Sequence, residues 1–264
     1  MSRGPGPAAP PGGAPEIDLR GDEVVWVTGD VHLAPDDGAR GEVFLAFLRA
    51  ARAGADRLVL LGDLFDYWVG PRHARRCAYR PVVDALAGAA AEGFAIDFVA
   101  GNRDFLGPGE LAGIGLRVHG DLVVLDREGR RTVVTHGDLL VADDRSYKRY
   151  RRWVRSWWFR LGYRLVPTWV RLGVAWLLRG ASRRKLGRVE PYAFPVDLPE
   201  AERWLARHGA EELLLGHLHR DETHPHPGGG TTRMLPAWGA QEGPYFVVGP
   251  AARLERFRPP AEEA

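Results

Sequence analysis

The sequence predicts an α/β sandwich of four layers, two packed β-sheets with helices on both outer faces (αββα). Three observations predict it. Residues 24–100 alternate strand, helix, strand, helix, strand, the order that builds a parallel sheet. After residue 120 the pattern changes to a hairpin and a series of short strands, enough for a second sheet. Five short segments, GDVH (Gly29–His32), GDLFDYW (Gly62–Trp68), GNRD (Gly101–Asp104), THGD (Thr135–Asp138) and GHLH (Gly216–His219), each end or follow an apolar, β-branched run. Each therefore sits where a strand gives way to a loop, and ligands of such sheets collect at strand carboxyl ends.

Val24–Thr28 (VVWVT) reads as a buried strand, Glu42–Ala53 has helical apolar periodicity, and Arg57–Leu61 is a second buried strand. Val82–Glu92 is a helix entered through Pro81, whose missing N–H is no loss in a first turn. Ala95–Ala100 is a third strand. Asp121–Asp126 and Arg131–Thr135 flank Glu128–Gly129, a hairpin turn. Leu198–His208 reads as a helix, and Glu212–Leu215, Thr231–Ala237, Tyr245–Val248 and Leu254–Phe257 read as strands. Residues 1–20, which open with the Pro- and Gly-rich MSRGPGPAAPPGGAPE, and residues 259–264 read as disordered tails. Residues 21–144 and 190–258 form the main domain, interrupted by an insertion at 145–189. No transmembrane helix is expected. Cys77 is the only cysteine, which excludes a disulfide framework and a cysteine metal cluster and suits a reducing compartment.

The five segments place Asp30, His32, Asp63, Asn102, His136, His217 and His219 on one rim. Carboxylates, imidazoles and an amide oxygen suit borderline-hard divalent ions such as manganese, iron or zinc. Seven such donors can hold two ions about 3.5–4 Å apart, with a bridging carboxylate and open positions for a phosphate and a hydroxide. The remaining histidines, His73, His119, His208, His224 and His226, lie outside such turns and read as surface or packing residues.

The net charge of +2 conceals an asymmetry. Residues 145–189 hold 14 of the 36 Lys and Arg and no Asp or Glu, leaving 22 basic against 34 acidic residues elsewhere. Five of the nine tryptophans (Trp153, Trp157, Trp158, Trp169, Trp176) fall in the same segment. Apolar residues recur there at helical spacing with Arg between them, and Pro167 divides it into at least two helices. Such helices lie in membrane interfaces and attract anionic headgroups. The composition also suits single-stranded nucleic acid, but the apolar faces exceed what stacking needs. No nucleic-acid partner and no obligate protein partner are expected.

In their order, the five motifs resemble the calcineurin-like metallophosphoesterase superfamily. The resemblance implies a metallophosphoesterase sandwich with a helical lid insertion. It implies one metal ion on Asp30, His32, Asp63 and His219 and a second on Asp63, Asn102, His136 and His217, with Asp63 bridging and manganese as the ion. Arg103 stands where many relatives carry a histidine that protonates an alkoxide. Arginine cannot release a proton near neutral pH, but it can stabilise phosphoryl charge. A phosphate monoester, with a second pKa of about 6, leaves without an acid. Arg103 therefore favours a phosphoanhydride substrate, unless it only holds a carboxylate such as Asp104.

GDLFDYW, GNRDF (Gly101–Phe105) and THGDLLVADDRSY (Thr135–Tyr147), with Pro167, Arg171 and Trp238, resemble the UDP-2,3-diacylglucosamine diphosphatase family of lipid A synthesis. That resemblance implies attack of hydroxide on the uridine-side phosphate, releasing UMP and 2,3-diacylglucosamine 1-phosphate. Asn102 and Arg103 are the implied catalytic residues. Arg103, Asp144, Tyr147, Arg179 and Ser182 are the implied substrate contacts, with Lys185 joining them at the headgroup. The implied location is the cytoplasm, peripherally associated with the inner membrane through the lid. A generic calcineurin-like phosphoesterase acting on another nucleotide or phosphorylated substrate is the alternative. A non-catalytic scaffold on a degenerate fold is disfavoured because all seven donor positions are filled.

Overall fold

Apolar residues alternate between two faces along the central strands, and the structure buries both faces. The computed structural model describes residues 13–68, 74, 77–103, 108–141, 162, 166, 170, 173, 195–249 and 252–260. In chain order these form β1 (Glu16–Asp18), β2 (Val25–Thr28), α1 (Gly38–Gly54), β3 (Arg57–Leu60), α2 (Arg80–Ala91), β4 (Ala95–Val99), α3 (Pro108–Ala112) and β5 (Arg117–His119). There follow β6 (Leu122–Arg127), β7 (Arg130–Thr135), a 3-10 turn (Asp138–Leu140), α4 (Leu198–His208), β8 (Glu212–Leu215), β9 (Thr223–Pro225), β10 (Thr231–Met234), β11 (Gly243–Val248) and β12 (Arg253–Phe257). One sheet has the order β12-β11-β2-β3-β4-β5 and the other β1-β6-β7-β8-β10-β9.

Three apolar clusters separate four layers. Val25, Val27, Val59, Leu61 and Val99 of the first sheet meet Val123, Leu125, Val134 and Leu214 of the second. The alternate residues Leu58, Leu60, Ile96 and Phe98 point outward and pack under Phe44, Phe47 and Leu48 of α1 and Val82 and Leu86 of α2. Val124, Val133, Leu213 and Leu215 do the same under Ala201, Trp204 and Leu205 of α4. Period-two alternation of apolar residues on both faces is what a sheet covered on both sides requires.

Local signals set the element ends. Asp37 caps α1 by accepting from the Arg40 N–H (3.0 Å), and Asp197 caps α4 by accepting from the Glu200 N–H (3.0 Å). Glu128 and Gly129 both have positive φ (54° and 88°) and close the β6–β7 hairpin in the two-residue form that strand twist favours. Arg57, the first residue of β3, ties Glu23 (2.8 Å) to the buried Asp97 (2.7 Å), and His119 Nε2 lies 2.6 Å from the other Asp97 oxygen. His119 is thus a structural residue, as its sequence context indicates.

Two expectations need correction. Residues Glu16–Asp18 are not part of a tail: they form an edge strand parallel to β6, with Leu19 buried. A Pro- and Gly-rich lead-in concealed three residues that need only one neighbour to pair with. The strand expected over Thr231–Ala237 ends at Met234, ahead of Pro236, which has no N–H for a ladder. The short elements β5, β9 and α3 were not foreseen, being too short to show a period. The basic insertion expected at 145–189 lies outside the described residues, apart from four isolated positions. No helix among the described residues is long and apolar enough to cross a membrane.

Candidate metal centre

The loops that leave β2 and β3 stay zipped beyond the strands. Asp30 N–H donates to Gly62 O (3.2 Å), His32 N–H to Asp63 O (2.9 Å), Leu33 N–H to Leu64 O (2.9 Å) and Asp66 N–H to Leu33 O (2.8 Å). This ladder sets Asp30 and His32 beside Asp63. The second sheet is stitched to the same spot. His136, just after β7, brings its Nδ1 to 2.7 Å from Leu61 O, and the His217 backbone N–H, just after β8, donates to Asp30 Oδ2 at 2.6 Å.

Such close approach needs glycine at two places. A Cβ on Gly62 (φ 71°) would stand 2.2 Å from Gly101 N, and one on Gly216 would stand 2.3 Å from Asp30 Oδ2. Five of the seven donor residues, Asp30, His32, Asp63, His217 and His219, have φ between 48° and 65°. Non-glycine residues in this left-handed region are uncommon, with Asp and His among the more tolerant. Their concentration at one rim is strain held by the surrounding ladders.

The donor atoms converge. Nε2 of His32 and Nε2 of His219 are 3.1 Å apart, and Asp30 Oδ1 lies 3.7 Å from the first and 3.4 Å from the second. His136 Nε2 lies 3.7 Å from Asp63 Oδ1. Asp30, His32 and His219 form one group able to share a cation, and Asp30, Asp63 and His136 form another. The His217 ring packs against His136 with centroids 4.9 Å apart.

This donor set fits divalent cations on three counts. Asp30 Oδ1 and His32 Nδ1 are buried without a hydrogen bond among the described residues, a costly state for a polar atom unless a charge satisfies it. His136 Nδ1 donates to a backbone carbonyl, so in the neutral ring Nε2 is left with its lone pair facing the cluster. The Asn102 amide lies against both Asp63 oxygens and His136 Nε2. With its oxygen inward that oxygen faces acceptors, as a ligand to a cation would. Turned over, its NH2 donates to Asp63 Oδ2 (2.8 Å), Asp63 Oδ1 (3.1 Å) and His136 Nε2 (2.8 Å).

The electrostatics follow from the crowding. Burial alone would raise the Asp30 carboxyl, but close contact with His219 and the charges of His136 and His32 hold it well below the usual range. Burial raises Asp63 despite His136 and Arg103. Burial pushes the His217 imidazole down to about 4, with the charge of His136 adding to the effect, and burial with Arg103 drives His32 down further. The His136 imidazole is raised: burial disfavours its charged form, and Asp63 and Asp30 outweigh that.

Arg103 stands at the edge of this cluster. Its backbone N–H donates to Asp63 Oδ1 (2.9 Å), its Nε lies 3.3 Å from Asp63 Oδ2, and its NH1 donates to Asp66 Oδ1 (2.8 Å). Asp66, within GDLFDYW, carried no role in the sequence reading. The signal was its place three residues after Asp63 in a loop that runs beside the GDVH loop. Trp238 donates from Nε1 to Thr28 Oγ1 (2.9 Å), which donates to Pro244 O (2.8 Å), and the Trp238 N–H reaches Asp30 O (3.4 Å). Thr28 and Trp238 thus buttress the Asp30 turn. The expected contacts Asp144, Tyr147, Arg179, Ser182 and Lys185 lie outside the described residues, as does Asp104.

Comparison with known proteins agrees with this geometry. The family model for calcineurin-like phosphoesterases matches residues 24–221. A UDP-2,3-diacylglucosamine hydrolase of Xanthomonas axonopodis pv. citri (strain 306) is 35% identical over 239 residues, covering 86% of this chain and 96% of its own. A UDP-2,3-diacylglucosamine hydrolase of Neisseria meningitidis serogroup C is 35% identical over 221 residues, covering 81% and 89%. Among solved structures, the E. coli phosphoesterase Yfce is 17% identical, covering 89% of this chain and 99% of its own at a TM-score of 0.45.

Proposed function

We propose that this chain, which belongs to the calcineurin-like phosphoesterase family, hydrolyses the pyrophosphate bond of UDP-2,3-diacylglucosamine, releasing UMP and 2,3-diacylglucosamine 1-phosphate. The observation that carries the reading is the 35% identity to UDP-2,3-diacylglucosamine hydrolases along nearly their whole length. The site chemistry supports it.

In this reading Asp30, His32, Asp63 and His219 would hold one cation, and Asp63, Asn102, His136 and His217 would hold the other. The set of nitrogen and oxygen donors suits manganese. When bound, two such ions neutralise phosphoryl charge and make a nucleophile of water at neutral pH. The Asp63 carboxylate, 3.9 Å from His32 Nδ1 and 3.7 Å from His136 Nε2, would be the ligand shared by both. The Leu61 carbonyl fixes the His136 tautomer that presents Nε2. Arg103 offers the guanidinium donors that Asp63 and Asp66 do not occupy to a phosphoryl oxygen. It gives no proton, and none is needed, because the departing phosphate monoester has a second pKa of about 6.

The basic, tryptophan-rich segment 145–189 is the proposed contact for the acyl chains and for the anionic face of the inner membrane, on the cytoplasmic side, with Asp144, Tyr147, Arg179, Ser182 and Lys185 reaching the headgroup. The test is incubation of the purified protein with manganese and UDP-2,3-diacylglucosamine. UMP release without phosphate release from simple monoesters is expected. Phosphate release from monoesters with no UMP would overturn the assignment in favour of a generic phosphoesterase.

A further inference from the structure

Arg103 is a guanidinium that the structure places on Asp63, and a guanidinium is useful to a phosphoryl group only if it is aimed. Its side chain is 36% exposed, so solvent leaves it free to swing unless something anchors it. Two carboxylates hold it in place, Asp63 through Nε at 3.3 Å and Asp66 through NH1 at 2.8 Å. These anchors are not equivalent. Cations shared by the donor groups would draw on the charge of Asp63 and weaken its hold on Arg103. Asp66 is not among the converging donors, so its hold persists.

Asp66 is also well fixed. Its side chain is 9% exposed, and its backbone N–H is pinned to Leu33 O at 2.8 Å beside the Leu33–Phe65 bridge. An ion pair with one partner this sheltered is less screened than a surface pair. Among the described residues, Asp66 engages one NH1 hydrogen and Asp63 pairs with Nε as an ion pair, which leaves guanidinium hydrogens for substrate.

We propose that Asp66 is a positioning residue for the hydrolysis: its carboxylate aims the Arg103 guanidinium at the phosphoryl group. The proposal rests on the phosphoanhydride reading above, and the experiment separates the two. A double-mutant cycle of Asp66→Asn, Arg103→Ala and both together is assayed on UDP-2,3-diacylglucosamine and on bis(p-nitrophenyl) phosphate. Metal content and thermal midpoint are measured for each protein, and Asp66→Glu is included as the conservative variant.

Asp66→Asn should lose about tenfold in kcat, the scale of one misdirected charge-assisted hydrogen bond. Its metal content should match that of the parent, and Asp66→Glu should recover part of the loss. In the Arg103→Ala background the same Asp66→Asn change should alter kcat by less than about twofold, since positioning acts only through the positioned group. Equal losses in both backgrounds, or no loss in either, overturn the proposal. If the parent cleaves only the chromogenic ester, the substrate reading falls and the cycle on that ester decides the role of Asp66. A parent that cleaves neither overturns both.

Discussion

Replacing Gly62 with alanine should damage the fold and the site together. The added Cβ would stand 2.2 Å from Gly101 N, 2.5 Å from Gly101 Cα and 2.9 Å from Val99 O. All three atoms belong to the backbone of β4 or the turn that follows it, so no side-chain rotation relieves the collision. The φ of 71° adds a left-handed penalty of about 1–2 kcal/mol for a residue with a Cβ. Overpacking of a tight contact adds about 1–3 kcal/mol. A central value of about 3 kcal/mol lowers the thermal midpoint by about 10 °C in a chain of this size. Gly88, inside α2, is the control: nothing lies within 4 Å of its Cβ position, so Gly88→Ala should raise stability by about 0.5–1 kcal/mol. Differential scanning calorimetry of both variants checks the pair, and elemental analysis checks whether Gly62→Ala holds less divalent metal as the Asp63 and Asn102 turns part. A Gly62→Ala midpoint within about 2 °C of the parent would refute the close approach on which the Asp63–Asn102 geometry depends.

Three further outcomes are expected. Asp63→Ala should abolish UMP release and reduce bound manganese, while chelation of the parent should lower its midpoint and manganese should restore it, since a ligand of the folded state alone adds stability; near-normal turnover by the variant would reject the bridging role. Trp238→Phe removes the indole N–H that donates to Thr28 and should cost about 1 kcal/mol in urea titration. Turnover should survive, because the Trp238 backbone contact to Asp30 O remains. Asp97→Asn should cost about 3 kcal/mol at pH 7, because Arg57 and His119 then face an amide in place of a buried carboxylate. Burial would raise the Asp97 carboxyl, but His119 and Arg57 outweigh it and the folded value is lowered. Its contribution is thus complete above the unfolded value near 4 and is lost as pH falls through the folded one. The gap between parent and variant in denaturant titrations should shrink below about pH 4, and a gap that widens there would contradict the sign.

The main sheets were legible because their strands are long enough to show a pattern and end in turns with distinctive chemistry. VVWVT, RLVLL and AIDFVA are bounded by Gly-Asp or Gly-Asn, and the structure ends β2, β3 and β4 within a residue or two of each expected boundary. The same turns marked the rim positions, and the structure gathers Asp30, His32, Asp63, His136 and His219 of them into two donor groups. What escaped was information that lies between segments. Glu16–Asp18 pairs only because Val124 to Asp126 offer an edge, a fact that no property of a short EID sequence contains. Asp66 carried no role in the sequence reading, and only the turn after β4 brings Arg103 to it. His119 is held by Asp97, 22 residues away, and no spacing rule connects them.

The rim combines two costs that would each be selected against in an ordinary loop. Left-handed backbone at Asp30, His32, Asp63, His217 and His219, at about 1–2 kcal/mol for a typical residue, is unfavourable locally. Buried polar atoms with no hydrogen bond among the described residues, Asp30 Oδ1 and His32 Nδ1, are unfavourable again. Both costs fall on the same few residues, and both have one remedy. The left-handed turns swing carboxylates and imidazoles inward from strands whose regular geometry would send alternate side chains to opposite faces. A cation would then satisfy the donor atoms so gathered. The frame that tolerates the strain is the ladder between the GDVH and GDLFDYW loops, together with the His136–Leu61 and His217–Asp30 stitches across the two sheets. Loosening the ladder should therefore release the turns toward ordinary backbone and disperse the donors, so that affinity for metal and stability of the fold fall together.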